Sequence, residues 1–155
     1  MRGDSVVGPT SGVEFADAPD HGRVLISGAD TDGAYSLMEW TIASRDTASS
    51  DHHRDFGPHR HEAIEEVFVV RQGTLEFLLH NEVRTLLPGD VVRVPPGVRH
   101  GYVNRSGDEV DMLVAFIPGG FEELFVMYRS DQPHSPEPGF VDDAARRFAT
   151  DFESS

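Results

Sequence analysis

Three histidines and one glutamate in the middle of the chain have the residue types and spacing of a metal site. His59 and His61 stand two apart, so on an extended strand both imidazoles project from one face, as paired metal ligands do. Glu66 opens the run Glu66-Val67-Phe68-Val69-Val70, whose alternation carries its carboxylate to the same side as Phe68 and Val70. Gly89-Asp90 then marks a turn, Val91 to Val94 reads as a short strand, and Pro95-Pro96-Gly97 breaks it before His100 begins the next. A fourth donor thus arrives on a neighbouring strand. Imidazole and carboxylate donors brought together in this way suit a divalent transition metal.

The same residues fall into two motifs. His59, His61, Glu66 and Gly73 give two histidines one residue apart, then Glu, then Gly seven beyond; His53 stands where a leading glycine would precede them by six. Gly89, Pro95, Gly97, His100 and Asn104 give Gly-x5-Pro-x-Gly-x2-His-x3-Asn without a departure. In both motifs the sequence resembles the cupin family, over roughly Ser36 to Ile117. A lone His-x-His pair is common, whereas two multi-residue motifs in the right order are specific.

The resemblance implies an all-β fold, a double-stranded β-helix (jelly-roll, cupin-type) barrel, with His59, His61, Glu66 and His100 around one divalent metal ion. It further implies a homodimer, paired through an edge strand or an N-terminal arm. Fe2+ is the favoured ion, with Mn2+, Ni2+, Co2+ or Zn2+ as alternatives. One carboxylate leaves a dipositive ion with net charge near +1, and four protein donors on a six-coordinate ion leave two positions for water, dioxygen or a chelating substrate. Such an ion polarises a carbonyl, acidifies a neighbouring carbon or, as iron, activates dioxygen.

The expected activity is dioxygenase-like, similar to the small quercetinase-type members, on a small oxygenated organic molecule. Two alternatives stand beside it: redox-neutral isomerase, epimerase, lyase or cyclase chemistry, and a barrel that binds a small molecule without turning it over. Tyr102, two after His100, shares the inward face and is the candidate catalytic phenol. Met38, Trp40, Phe68 and Phe77 complete an apolar lining with Tyr102. Arg60 and Arg99 flank the donors but face outward by strand parity, towards surface carboxylates. Asn104 precedes a turn, where a side-chain to backbone bond is expected.

The elements that must position these groups read as follows. Met1 to Gly12 is an aperiodic arm, residues 13–117 form the barrel, and residues 118–155 form a helical extension. Val13 to Phe15, Arg23 to Ser27 and Ser36 to Ala43 are strand candidates, the last with Met38, Trp40 and Ile42 on the inward face. Residues 44–56 form a polar loop whose His52-His53 pair points to opposite sides of an extended chain, so both cannot join one site. Leu75, Phe77 and Leu79 alternate in the next strand, and Val110 to Ile117 is the last barrel strand. Two short C-terminal helices are expected. The first carries Phe121, Leu124, Phe125 and Tyr128; the second carries Val141, Ala144, Ala145, Phe148 and Phe152.

Composition bounds the remainder. At 155 residues the chain is one domain, long enough to bury about two thirds of its unfolded surface. With no cysteine, thiolate sites, thiol nucleophiles and disulfides are excluded. A formal charge of −14 without a Lys/Arg cluster argues against nucleic acid and anionic membrane as partners. No signal-peptide pattern and no apolar stretch long enough to span a bilayer is present, so a cytoplasmic protein acting on a small molecule is expected.

Overall fold

The computed structural model describes residues 6–17, 20–45, 57–127 and 138–153. In chain order these form β1 (Val13–Asp17), β2 (Asp20–Ile26), a 3-10 turn (Gly28–Thr31), β3 (Ser36–Ile42), β4 (His59–His61), β5 (Glu65–Gln72) and β6 (Leu75–Leu79). There follow β7 (Glu82–Leu86), β8 (Val91–Val94), β9 (His100–Val103), β10 (Val110–Ile117), α1 (Glu122–Met127), α2 (Pro138–Phe148) and β11 (Thr150–Phe152). The strands build two antiparallel sheets, one in the order β1-β2-β3-β10-β5-β8 and the other β11-β4-β9-β6-β7. The arrangement is the jelly roll of the double-stranded β-helix.

Alternation decides what lies between the sheets. Ser36, Met38, Trp40 and Ile42 of β3 are buried, as are Val110, Met112, Val114 and Phe116 of β10, while the residues between them stay partly open. On β5 the buried set is Glu66, Phe68 and Val70. A carboxylate therefore lies in line with two apolar core residues. Each fully buried Phe or Met side chain contributes on the order of 1.5–3 kcal/mol, so the strands flanking Glu66 are held firmly. Outward, Arg71 donates to Asp111 at 2.8 Å and to Glu39 at 3.0 Å, which accounts for the acid within the apolar β10 run.

Turn chemistry sets the register. Gly73, between β5 and β6, has φ of 83°, and a Cβ there would lie 2.5 Å from the Glu109 carbonyl; only glycine meets both demands. Asn104 closes the β9–β10 connection by donating to the carbonyls of Ile42 and Asp108 at 2.8 and 2.7 Å, and by accepting from the Ser106 amide at 3.0 Å. The expected side-chain to backbone role is met.

Beyond β10 the helices pack on the sheets through aromatic rings. Phe125 of α1 meets Phe15 and Trp40, and Phe148 of α2 meets Phe121 edge-on at 5.3 Å. Glu122 is buried and accepts the backbone N–H of Gly28 at 2.6 Å and of Gly120 at 2.7 Å, fastening α1 to the 3-10 turn. The C-terminus departs from expectation. Phe152 is not on the second helical stripe: α2 stops at Phe148, Ala149 adopts the left-handed conformation with φ of 46°, and residues 150–152 continue as β11. The physical reason is a free edge on β4, with which β11 pairs in the register Thr150↔His61, Asp151↔Arg60 and Phe152↔His59. Tyr128 and the His52-His53 loop, with the displaced motif position His53, lie outside the described residues.

Candidate metal centre

β4 is only three residues long, yet its pleat is enough to turn His59 and His61 inward and Arg60 outward. His59 faces His100 across the β4–β9 ladder, and β5 brings Glu66 from the opposite sheet. The ring centroids of His59 and His100 are 4.3 Å apart, those of His59 and His61 5.0 Å, and those of His61 and His100 5.6 Å. One donor atom from each of the four residues lies within 4.8 Å of the others, and all four residues are buried. Donors about 2.1 Å from one ion stand about 3 Å apart when at right angles, which is the scale of this cluster.

The outer ring nitrogens fix how the donors point. His59 Nδ1 lies 2.8 Å from the Gly57 carbonyl, His100 Nδ1 3.0 Å from the Val98 carbonyl, and His61 Nδ1 2.7 Å from Thr150 Oγ1. A carbonyl only accepts, so His59 and His100 carry their proton on Nδ1 and present the Nε2 lone pair to the interior. There Glu66 Oε2 stands 2.6 Å from His100 Nε2 and 3.3 Å from His61 Nε2. None of these three buried atoms has a hydrogen-bond partner of acceptable geometry. Lone pairs converging on one point without a shared proton are costly in isolation, and a cation between them removes the cost. The donor set therefore fits a divalent metal.

Electrostatics keep Glu66 anionic and His59 neutral, whereas the Glu66 carboxylate favours a proton on His100 that a bound cation would displace. Burial holds the His59 imidazole down to about 3, aided by the His100 and His61 charges and opposed by Glu66. It is thus neutral and able to ligate. For Glu66, burial favours the neutral acid but is outweighed by the close approach of the His100 and His61 ring nitrogens, which leaves the carboxyl well below its ordinary value. For His100, burial pulls the other way and the Glu66 carboxylate wins, raising it above the usual imidazole range.

Around the donors the wall is aromatic. Phe77 stacks on the His100 ring at 6.4 Å and Phe68 lies 6.1 Å from it. Tyr102 is buried against the same pair, 5.9 Å from Phe68 and 6.2 Å from Phe77. Of the remaining lining candidates, Trp40 stacks on Phe15 at 5.1 Å, and Met38 is buried beside it on β3. Arg99 pairs with Glu153 at 2.8 Å and Arg60 with Asp151 at 3.8 Å, both outside the cluster as parity requires. Three neighbours were not foreseen: Phe121 meets His61 edge-on at 4.7 Å, Phe152 stacks on His59 at 5.1 Å, and Thr150 holds His61. A cleft of about 640 Å³, lined by Glu14, His21, Arg23, Glu39, Arg71 and Asp111 among others, includes none of the four donors.

Fold and site together define a double-stranded β-helix protein with a buried three-histidine, one-glutamate group able to hold a metal ion. A family model described as a cupin domain matches residues 50–116. Among solved structures, KdgF from Halomonas sp. superposes with a TM-score of 0.63 at 20% identity, over 78% of this chain and 99% of that one. A predicted oxalate decarboxylase from Thermotoga maritima gives 0.56 at 17% identity, over 64% and 80%. The polyketide cyclase RemF from Streptomyces resistomycificus gives 0.53 at 24% identity, over 64% and 66%. No curated protein matches the chain. Residues 50–116 thus resemble a cupin domain, and the chain shares the double-stranded β-helix fold of these structures. No helix among the described residues is long and apolar enough to cross a membrane.

Proposed function

We propose that this chain is a metal-dependent enzyme in which His59, His61, Glu66 and His100 hold one divalent transition metal ion, with Fe2+ favoured, and that it acts on a small oxygenated organic molecule by dioxygenase-like chemistry. The observation that carries the reading is the convergence of His61 Nε2, His100 Nε2 and Glu66 Oε2, three buried polar atoms that lack hydrogen-bond partners. A bound ion of this kind supplies Lewis acidity and, when it is iron, a site for dioxygen. The protein supplies the rest. Neutral imidazoles and one carboxylate set a net charge that attracts an anionic, chelating oxygen edge. Phe68, Phe77, Phe121 and Phe152 exclude water and offer an apolar wall to the body of the substrate. Tyr102, packed against Phe68 and Phe77, is assigned to orient that substrate or move a proton to or from it through its phenol.

A second reading is redox-neutral cyclase, lyase or isomerase chemistry, supported by the fold shared with a polyketide cyclase and by the same charge-stabilising site, which suits an enolate. The proposal includes a homodimer, for which the exposed Val83, Leu87 and Val91 at the β7–β8 edge offer apolar surface, and a cytoplasmic location. Oxygen-electrode assays of the metal-loaded protein with catechol-like and diketone compounds test the reaction class. Oxygen uptake with product formation, absent in His100→Ala, supports the dioxygenase reading. Turnover without oxygen uptake transfers support to redox-neutral chemistry, and compounds recovered unchanged would leave a binding module.

A further inference from the structure

His59 and His100 are each fastened by a carbonyl two residues earlier in their own chain, a local contact formed with the loop that delivers them. His61 is different. Its Nδ1 partner is the Thr150 hydroxyl, 89 residues away, on a strand that follows both helices in the chain. Thr150 and His61 are both buried, and they are direct partners in the β4–β11 ladder. Two positions along, Phe152 lies over the His59 ring at an interplanar angle of 23°. The strand is tied at both ends: the Glu62 amide donates to the Ala149 carbonyl at 3.0 Å, the Glu153 amide to the Pro58 carbonyl at 3.0 Å, and Arg99 pairs with Glu153.

We infer that β11 is part of the metal centre and that Thr150 is its positioning residue: by accepting the His61 Nδ1 proton, the hydroxyl turns the His61 Nε2 lone pair onto the metal position, so docking of this strand sets metal affinity. The inference rests on the metal-centre reading proposed above. A hydroxyl can donate or accept, unlike the carbonyls that hold the other two rings. It acts as acceptor here because His61 Nε2, 3.3 Å from Glu66 Oε2 and without a hydrogen-bond partner, is the nitrogen left for a ligand. Outer-shell partners of ligating histidines fix tautomer and ring orientation, and their loss typically lowers metal affinity about 10- to 100-fold.

The test uses the full-length protein, with Co2+ as the probe, titrated by its visible spectrum and by competition with a chromophoric chelator. Thr150→Val keeps the shape and removes the acceptor. It is expected to weaken Co2+ binding about 10- to 100-fold and to alter the Co2+ spectrum. Thr150→Ser is expected to restore both. Asp151→Ala, on the same strand but pointing outward, is expected to leave them unchanged. Wild-type affinity and spectrum in Thr150→Val would overturn the inference while leaving the metal centre standing. Failure of the wild-type protein to bind Co2+ would instead overturn the metal-centre reading on which the inference rests. Should Thr150→Val not fold, imidazole nitrogen NMR of the zinc-loaded wild-type protein decides. A slowly exchanging proton on His61 Nδ1 with Nε2 metal-bound supports the inference, and ligation through Nδ1 contradicts it.

Discussion

Replacing Glu122 with alanine should destabilise the fold by about 2–4 kcal/mol, a large effect for a residue that sequence alone would place on a helix surface. Its side chain is only 1% exposed, and its two oxygens accept the Gly28 and Gly120 amides at 2.6 and 2.7 Å. Alanine leaves two donors without partners in a region too tight to rearrange. A Cβ on Gly28 would already lie 2.7 Å from the Gly120 nitrogen, and one on Gly119 would lie 2.5 Å from the Tyr35 backbone. A buried donor left unpaired costs about 1–3 kcal/mol, so two set the stated range after partial relaxation. Urea unfolding followed by circular dichroism reads it directly. With a slope of about 2 kcal/mol per molar urea, the midpoint should fall by roughly 1–2 M. Glu122→Gln should lie between, because its amide oxygen still accepts one N–H while its NH2 group opposes the other. An alanine variant within about 0.5 kcal/mol of wild type, the scale of an ordinary surface substitution, would refute the reasoning.

Two further outcomes follow from the same structure. Glu39 is pulled below its ordinary value because hydrogen bonds from Arg23 and Arg71 outweigh the opposing effect of burial. Its contribution to stability is therefore complete above the unfolded carboxyl value of 4.5 and is lost as pH falls through its lower folded value; Glu39→Gln should flatten the acid limb of a melting-temperature against pH profile, and an unchanged limb would contradict it. Metal bound to the native state alone should stabilise it by about 2.7 kcal/mol when free metal is 100 times the dissociation constant, so calorimetry should show the melting transition falling on chelation in wild type and not in Glu66→Ala.

The donors were legible because a strand's period of two is a local rule. His59 and His61 needed only the pleat of a three-residue strand, and Glu66 only its parity with Phe68 and Val70. The glycines and the Pro-Pro-Gly break gave the turns. What stayed hidden depends on distant partners. Thr150 and Phe152 sit in a strand too short to have a pattern of its own, and the spacing of Phe152 from Phe148 reads as one more turn of α2 until Ala149 turns left-handed. Glu122 looks like a first-turn surface acid, since the amides that bury it lie 94 residues upstream at Gly28 and two residues before it at Gly120. Phe121 carried the right stripe, but no spacing rule tells that its ring meets His61 as well as Phe148 of the neighbouring helix.

The most direct test of the central claim is elemental analysis of protein purified without chelators, with His61→Ala alongside. About one divalent transition metal per wild-type chain, lost from the variant while its circular dichroism is unchanged, is the predicted result. Equal metal content in both proteins, or none in wild type even after incubation with Fe2+, Co2+ or Zn2+, would contradict the assignment of His59, His61, Glu66 and His100 as a metal centre.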